Sequence, residues 1–253
     1  GIRDVERARG LGDVYKRQEL ERTVVETGAA IGLAFDGDGD RLIAVDEKGS
    51  RVTGDQVLFI CAKALKDQDK LNNDLIVSTV MSNLGLRIAC KKYGLKHHAS
   101  RVGDRHVLKD MQRMGAVIGG EESGHTIFLR HHTTGDGILT AMQLIASMLK
   151  ENKPLSELAA MVDLYPQNLI NVEVKSRPEI STVPQVVEAI KQAEMELGDQ
   201  GRVLVRYSGT QDICRVMVEG PTDDLTRKYC SQIADAVRTA LGGKGSPWES
   251  MKA

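Results

Sequence analysis

The sequence IGLAFDGDGDRLIAVD, residues 31–46, contains two apolar stretches separated by an acidic segment with two glycines. Residues 31–35 and 41–46 are rich in aliphatic and β-branched side chains, which predicts two strands. The segment between them alternates aspartate with glycine, and glycine permits the tight turns that bring carboxylates together. We therefore predict a strand, an acidic loop and a second strand, followed by a turn at residues 47–49.

On both sides of this segment, strand patterns alternate with helix patterns, from residue 20 up to residue 150. The predicted strands are 75–80, 97–102 and 116–118, and the predicted helices are 20–26, 56–66, 84–93, 107–114 and 135–150. Gly119 and Gly120 are predicted to open a loop. Strands and helices that alternate at this spacing favour an α/β fold, with a mixed, mostly parallel sheet covered by helices.

The order of elements changes after Tyr165-Pro166. There the patterns predict a strand, a helix, two strands and a final helix, at 169–174, 186–197, 202–206, 214–219 and 223–241. This order indicates a small C-terminal α+β domain. Residues 244–253 are predicted to be a mobile tail, and residues 1–18, GIRDVERARGLGDVYKRQ, are interpreted as a non-native leader.

Composition excludes several classes of partner. With 34 basic and 35 acidic residues the net charge is -1, so no overall basic field attracts nucleic acid or an acidic membrane. No apolar run approaches the roughly 20 residues that a membrane span needs. The four cysteines are widely spaced without a Cys-x-x-Cys pair, which predicts reduced thiols in a cytoplasmic protein. The sequence specifies no oligomeric state.

The acidic loop is the first candidate site. Carboxylates of Asp36, Asp38 and Asp40 that converge without a cation repel one another by about 4 kcal/mol per pair at 4 Å and an effective dielectric of 20. A hard divalent cation removes that repulsion, and all-oxygen ligation points to Mg²⁺. The alternative is a solvated acidic turn. An EF-hand is excluded because Arg41 and Leu42 follow the loop at once.

The segment GGEESGH, residues 119–125, is the second candidate. Glu121 offers an acceptor and Ser123 a hydroxyl, which suits hydrogen bonds to neighbouring sugar hydroxyls. His125 could exchange a proton near neutral pH. A glycine-containing turn without a ligand is the alternative for this segment.

The segment RYSGT, residues 206–210, is the third candidate. The Arg206 guanidinium, the hydroxyls of Ser208 and Thr210 and the backbone N–H groups around Gly209 could surround a phosphate. Arg215 lies on the returning strand, within possible reach of the same anion. A hairpin loop with a glycine-assisted turn explains the same residues.

In this order, DGDGDR, VGDR, GGEESGH and RYSGT resemble the motifs of the α-D-phosphohexomutase family. The resemblance covers essentially residues 19–241. AFDGDGDRLIAVDEKG, STVMSNLG, GGEESGHTIFL and TTGDGILTAMQL are most similar to the bacterial phosphoglucosamine mutase branch. The resemblance implies four domains around one cleft, with domain 2 ending in residues 19–52, domain 3 at 53–164 and domain 4 at 165–243.

The resemblance also implies a role for each motif. Asp36, Asp38 and Asp40 would bind Mg²⁺, with Arg41 beside the reacting phosphoryl group. Glu121 and Ser123 would hold the hydroxyls of a hexosamine phosphate, with His125 close by as a proton-transfer group. The phosphate that is not transferred would be bound by Arg206, Ser208, Gly209 and Thr210.

The implied reaction interconverts glucosamine 6-phosphate and glucosamine 1-phosphate through a phosphoserine and a bisphosphorylated sugar. The family's phosphoserine loop, Thr-Gly-x-Ser-His-Asn-Pro, has no counterpart in this sequence, so we expect the chain alone to be inactive. In the phosphate loop, Tyr207, Gln211 and Asp212 replace the commoner proline, glutamate and proline. The alternatives are a phosphomannomutase/phosphoglucomutase of the same fold and a non-catalytic sugar-phosphate-binding module.

Overall fold

The chain forms two compact units. The structure, a computed structural model, describes residues 11–209 and 211–242, with side chains from residue 18 onward. The first unit is Gly1–Asp163 and the second is Leu164–Ala253. The α/β fold is confirmed, with a mixed sheet that is partly parallel. The division at residue 52 and the assignment to numbered domains stay predictions.

Helices and strands alternate along most of the described chain. The helices there are α1 (Leu11–Thr27), α2 (Gly54–Lys66), α3 (Leu84–Lys92), α4 (Asp104–Met114), α5 (Gly137–Glu151), α6 (Leu155–Ala159), α7 (Pro184–Leu197) and α8 (Asp223–Leu241). The strands are β1 (Ile31–Phe35), β2 (Leu42–Asp46), β3 (Arg51–Val52), β4 (Leu75–Thr79), β5 (Lys96–Ser100), β6 (Ile118–Gly120), β7 (Thr126–Phe128), β8 (Gln167–Glu173), β9 (Arg202–Tyr207) and β10 (Ile213–Glu219).

Strands β1 and β2 form an antiparallel hairpin, and the acidic segment is its loop. Phe35 pairs with Leu42 beside the loop, and β3 adds an antiparallel third strand on the other side of β2. Leu42 and Ala44 point into the main core of the unit. The predicted second strand is shortened by one residue, because Arg41 makes only an isolated bridge.

The four-stranded sheet of the first unit has the order β5-β4-β6-β7. Strand β4 pairs in parallel with β5 and β6, and β7 is antiparallel to β6. All of β4 is buried, as expected for a strand covered on both faces. Ile76 faces the core formed with α2, whereas Val77 faces Met111 of α4. The parallel pairing predicted from the sequence is therefore confined to β5-β4-β6.

The sheet of the second unit has the order β8-β10-β9, with antiparallel pairing throughout. Its α7 and α8 form one core with alternate residues of the strands, including Val216 and Val218. Because successive strand residues point to opposite faces, Arg206 and Arg215 lie on the face away from that core. This strand, helix, strand, strand, helix order is the one that the sequence predicted.

The expectation that Gly119 and Gly120 open a loop is wrong, since both residues belong to β6. A Cβ on Gly119 would meet the Met111 Sδ atom at 2.6 Å and the Val77 carbonyl at 2.8 Å. The glycine at this position therefore lets α4 approach the sheet closely. Strand β7 and helix α6 were not predicted, because segments of three and five residues carry too little periodicity.

Helix α1 begins at Leu11, nine residues before the helix predicted from the sequence, which places part of the interpreted leader in a helix. Val24 on this helix is buried, and a Cβ on Gly32 of β1 would lie 2.4 Å from its Cγ2 atom. Residues 1–10 and the predicted tail at 244–253 lie outside the described residues. The leader and the mobile tail stay predictions.

The four cysteines are free and buried in the structure. Their reduced state stays a prediction. Burial raises the pKa of the Cys61, Cys90 and Cys230 thiols to about 12, and that of Cys214 to about 11. At neutral pH these thiols are protonated and therefore poor nucleophiles.

Along the described residues, we find no helix whose length and apolar character would suffice to cross a bilayer. The cytoplasmic location stays a prediction.

A capping box fixes the start of α2. The Thr53 hydroxyl accepts from the Gln56 N–H, and the Gln56 side-chain oxygen accepts from the Thr53 N–H. The Gln56 side-chain amide also donates to the Ala159 carbonyl at the end of α6, at 3.1 Å.

Replacing Thr53 by alanine should lower the free energy of unfolding by about 1 kcal/mol, because it leaves the Gln56 N–H without its cap. Urea unfolding followed by circular dichroism measures the change. Thr23→Ala is the matched control, since this exposed threonine lies inside α1 and donates only to the Glu19 carbonyl one turn earlier. Equal stability of wild type and Thr53→Ala would contradict a stabilising role for the cap.

Candidate functional site

The acidic loop turns tightly between β1 and β2. Gly39 adopts a φ of 72°, which favours glycine, and its N–H donates to the Asp36 carbonyl at 3.1 Å. The Arg41 N–H donates to the Asp36 carboxylate at 3.2 Å, and the Arg41 Nε atom lies 3.9 Å from it. Asp38 is exposed at the tip of the loop. The three aspartates and Arg41 therefore share one short turn.

The start of α5 holds the acidic loop from one side. The Gly137 N–H donates to the Gly39 carbonyl at 2.9 Å. A Cβ on Gly137 would lie 2.7 Å from the Arg41 carbonyl and 2.8 Å from the Phe35 ring, so only glycine allows this approach. The Asp136 side chain caps α5 by accepting from the Leu139 N–H. Residues of the TTGDG segment thus support the acidic loop.

The turn at residues 121–125 holds the loop from the other side. Its ends are closed by the Glu121 N–H, which donates to the His125 carbonyl at 2.8 Å. The Leu42 N–H donates to the Gly124 carbonyl at 3.2 Å, and Arg41 and His125 form an antiparallel bridge. Gly124 has a φ of 96°, and a Cβ there would meet the Leu42 carbonyl at 2.2 Å. The second predicted motif therefore adjoins the first.

The imidazole of His125 joins the acidic loop to the TTGDG segment. The ring is buried, its Nδ1 atom lies 3.0 Å from the Asp40 carboxylate, and its Nε2 atom accepts from the Gly135 N–H at 3.0 Å. A backbone N–H can only donate, so Nε2 is the acceptor and Nδ1 carries the proton that is donated to Asp40. Both ring nitrogens are therefore engaged.

The Glu121 carboxylate reaches the VGDR turn. Its Oε1 atom accepts from the Gly103 N–H at 2.9 Å, and its Oε2 atom lies 3.5 Å from the Ser123 hydroxyl. Ser123 is exposed and Glu121 is half-buried. A carboxylate has about four lone-pair positions, so Glu121 retains capacity to accept from a sugar hydroxyl.

The donor atoms of the acidic loop fit Mg²⁺ in chemistry. Three carboxylates supply hard oxygen ligands, and Asp36 and Asp40 each accept one hydrogen bond with acceptor capacity left over. Within residues 18–209 and 211–242, no three His, Cys, Asp or Glu side chains are grouped closely enough to hold a metal ion. The three aspartates share one loop but do not converge in this structure.

The third predicted motif lies in the second unit, at the turn between β9 and β10. The Ser208 N–H donates to the Ile213 carbonyl at 2.9 Å, which closes the loop. Ser208 is buried, whereas Gly209 is exposed. Thr210, also predicted to bind phosphate, lies outside the described residues.

Arg206 and Arg215 are direct partners across β9 and β10. Like charges placed directly opposite each other in a sheet are destabilising. Burial lowers the pKa of the Arg206 guanidinium, and the positive charge of Arg215 lowers it further. The Arg215 Nε atom is buried without a hydrogen-bond partner among the described residues. An anion beside this pair would relieve the repulsion.

The structure therefore gathers the predicted residues into two groups, one in each unit. The first contains Asp36, Asp38, Asp40, Arg41, Glu121, Ser123 and His125, and the second contains Arg206, Ser208, Gly209 and Arg215. Three residues that support these groups were not predicted as site residues. Gly103 donates to Glu121 and Gly135 donates to His125, and both lie in motifs, VGDR and TTGDG, to which the sequence alone assigned no function. Arg177 hydrogen-bonds to residues 208, 211 and 212 and lies in no motif.

The models of two domains of one protein family match most of the chain. Residues 53–165 match the α/β/α domain III of phosphoglucomutase/phosphomannomutase, and residues 169–236 match the C-terminal domain of the same family. The chain belongs to the phosphohexomutase family.

Curated relatives are similar along most of this phosphohexomutase chain. A phosphoglucosamine mutase of Syntrophobacter fumaroxidans is 70% identical over 225 residues, which is 89% of this chain and 50% of the relative. A phosphoglucosamine mutase of Syntrophus aciditrophicus is 61% identical, over 89% of this chain and 50% of its own length. One of Geobacillus thermodenitrificans is 49% identical, over 92% of this chain and 52% of its own length. The chain spans about half the length of the curated relatives that it matches.

Solved structures of low sequence identity share the fold. An N-acetylphosphoglucosamine mutase of Aspergillus fumigatus, in complex with GlcNAc-6P and magnesium, has a TM-score of 0.67 at 21% identity, over 81% of this chain and 51% of that one. A phosphoglucomutase/phosphomannomutase family protein of Burkholderia thailandensis has a TM-score of 0.68 at 20% identity, over 89% of this chain and 50% of that one.

A methyl group on Gly54 should disturb the 121–125 turn. An added Cβ would lie 2.5 Å from the Glu122 carbonyl and 2.6 Å from both the Glu121 carbonyl and the Gly124 nitrogen. We expect Gly54→Ala to lower the free energy of unfolding by about 1–3 kcal/mol through this overpacking. Gly37→Ala is the control, because its Cβ meets nothing within 4 Å. Urea unfolding measures both, and equal losses would contradict the prediction.

Proposed function

We propose that this chain binds a hexosamine phosphate, and that the protein interconverts glucosamine 6-phosphate and glucosamine 1-phosphate. The relatives named phosphoglucosamine mutase, one of them 70% identical, support this substrate over other hexose phosphates. An Aspergillus fumigatus mutase of the same fold is in complex with GlcNAc-6P, which also supports a hexosamine phosphate.

The observation that carries the proposal is the cross-strand pair of Arg206 and Arg215 beside the phosphate loop. Two guanidinium groups can donate charge-assisted hydrogen bonds to one phosphate, with bidentate geometry at each. Ser208 and the exposed Gly209 come two and three residues after Arg206, so the same turn offers a hydroxyl and a backbone N–H for an anion. We propose that this loop, including Thr210, binds the phosphate that is not transferred.

The 121–125 turn is the proposed contact for the sugar. Ser123 is exposed and can donate to or accept from a sugar hydroxyl, and Glu121 can accept from a neighbouring one. The sequence predicted proton transfer by His125. Since both of its ring nitrogens are hydrogen-bonded, the geometry favours a role in holding Asp40 in place.

Mg²⁺ is the proposed cofactor, and Asp36, Asp38 and Asp40 would hold it. When bound, the ion neutralises negative charge that develops on a transferring phosphoryl group. Arg41 would add a positive charge at the same place, and its contacts with Asp36 keep it at the loop. The magnesium in the Aspergillus fumigatus complex supports this choice of metal.

In the proposed reaction, a phosphoserine transfers its phosphoryl group to one hydroxyl of the sugar phosphate. The bisphosphorylated sugar then reorients, and the serine takes back a phosphoryl group from the other position. The donor serine would belong to a Thr-Gly-x-Ser-His-Asn-Pro motif, which this sequence does not contain. The part assigned to this chain is to bind, orient and electrostatically stabilise the sugar phosphate.

Replacing Arg206 by alanine should weaken binding of glucosamine 6-phosphate about ten- to a hundred-fold. The reason is the loss of a charge-assisted contact that contributes about 1.5–3 kcal/mol. Ser208→Ala removes a neutral hydrogen bond and should have a smaller effect. Titration of glucosamine 6-phosphate into the full chain, followed by calorimetry and amide NMR, measures both.

Arg227→Ala is the control for charge, because this arginine pairs with Asp223 on α8 instead. Unchanged affinity in Arg206→Ala would contradict phosphate binding by RYSGT and favour the alternative, a hairpin loop without a ligand. Tighter binding of glucose 6-phosphate or mannose 6-phosphate than of glucosamine 6-phosphate would move the assignment to a phosphoglucomutase/phosphomannomutase.

Replacing Asp38 by asparagine should lower the affinity for Mg²⁺ by at least about ten-fold, because ligand charge largely sets the affinity for a hard cation. Asp38 is exposed, so the fold should be unchanged. Asp69→Asn is the matched control, since Asp69 is exposed outside the acidic loop. Mg²⁺ titration followed by amide NMR measures both variants. Equal Mg²⁺ affinities would show that the acidic loop is a solvated turn.

A further inference from the structure

Arg177 lies outside the phosphate loop but hydrogen-bonds both of its arms. Its Nη1 atom donates to the Ser208 carbonyl at 3.3 Å, on the arm that leaves β9. Its Nη2 atom donates to the Gln211 carbonyl and to the Asp212 carboxylate, each at 2.7 Å, on the arm that enters β10. One planar guanidinium therefore spans the loop.

These contacts set the direction of a backbone amide. In a trans peptide the carbonyl and the N–H of the following residue point in opposite directions. Because the Ser208 carbonyl points toward Arg177, the Gly209 N–H points away from it. The Gly209 N–H makes no hydrogen bond with the described residues, whereas the Ser208 N–H is bonded to the Ile213 carbonyl. The Gly209 N–H is thus directed away from Arg177 and is available to a ligand.

Neighbouring residues hold Arg177 and the loop in the same arrangement. The Tyr207 hydroxyl donates to the Pro178 carbonyl at 2.8 Å, which ties the end of β9 to the residue after Arg177. The Val174 N–H donates to the Asp212 carbonyl at 3.0 Å, which ties the end of β8 to the other arm. The chain from 174 to 178 therefore supports the loop at several points.

We propose that Arg177 is a positioning residue for phosphate binding. By holding both arms of the loop, it keeps the Gly209 N–H directed at the phosphate that Arg206 and Ser208 contact. This inference rests on the proposed function, because it assumes that the loop binds the phosphate of a hexosamine phosphate. The described contacts of the Arg177 side chain are with protein oxygens, so its effect on the ligand is indirect.

The test compares three variants of the full chain by titration with glucosamine 6-phosphate. Arg177→Ala should bind about ten-fold more weakly than wild type, since the loop amide loses its fixed direction. Arg177→Lys keeps the charge but replaces the planar fork by a point charge, so it should remain at least about five-fold weaker. Arg206→Ala serves as the reference for direct loss of phosphate binding.

Amide NMR with ¹⁵N-glycine labelling distinguishes a change at Gly209 from a general loss of stability. The Gly209 resonance is assigned by its absence in Gly209→Ala. In the ligand-free state it should shift in Arg177→Ala and Arg177→Lys, while the resonances of glycines in the first unit and the unfolding temperature stay as in wild type.

Each outcome separates this inference from the proposed function. Wild-type affinity in Arg177→Lys would reduce the role of Arg177 to its charge and overturn the positioning role. Wild-type affinity in Arg177→Ala, with weak binding in Arg206→Ala, would overturn the inference but leave the proposed function. Wild-type affinity in both Arg177→Ala and Arg206→Ala would show that this loop does not bind the phosphate, and would overturn the proposed function of the loop as well.

Discussion

The contacts of the buried His125 ring are the constraint on which the first unit's candidate site depends. One ring nitrogen is fixed as an acceptor by a backbone N–H, so the other must donate to Asp40. The acidic loop, the 121–125 turn and the TTGDG segment are thereby linked through one rigid ring. The relative placement of the acidic loop and the 121–125 turn therefore depends on this residue.

The candidate site of the second unit is built on charge. Three successive cross-strand pairs on one face of β9 and β10 are Arg202 with Glu219, Leu204 with Met217, and Arg206 with Arg215. In the first pair, the half-buried Arg202 forms an ion pair at 2.5 Å with the buried Glu219, so the two charges offset each other. The last pair carries two positive charges beside the loop. Positive charge on this face is therefore concentrated at the end where a phosphate would bind, in a protein whose net charge is close to zero.

The sequence predicted local features well and long-range support poorly. The strand 31–35 and the helix 223–241 have the predicted bounds, because each shows clear periodicity and ends at a glycine or an aspartate turn. Gly119 was misassigned, because a glycine placed for contact with Met111 looks the same as a glycine placed for a turn. Arg177 was missed, since nothing near residue 177 indicates contact with a loop some thirty residues later.

Each candidate site residue was predicted from its type and from the order of the motifs, while the contacts that orient it became visible only in three dimensions. Asp40 and His125 are separated by 85 positions in the chain, and no periodicity links them. Glu121 was predicted to hold a sugar hydroxyl, but its bond to Gly103 could not be predicted, because a lone VGDR turn is equally typical of an exposed surface.

The buried cysteines can serve as native probes of local unfolding. Cys61 and Cys90 lie in the first unit, and Cys214 and Cys230 lie in the second. While buried they are protonated, because burial raises their pKa to about 11 or 12, whereas a thiol released into water ionises near pH 8.5. Reaction with a thiol reagent at mildly alkaline pH therefore requires exposure, and the labelling rate at each cysteine measures how often its own unit opens.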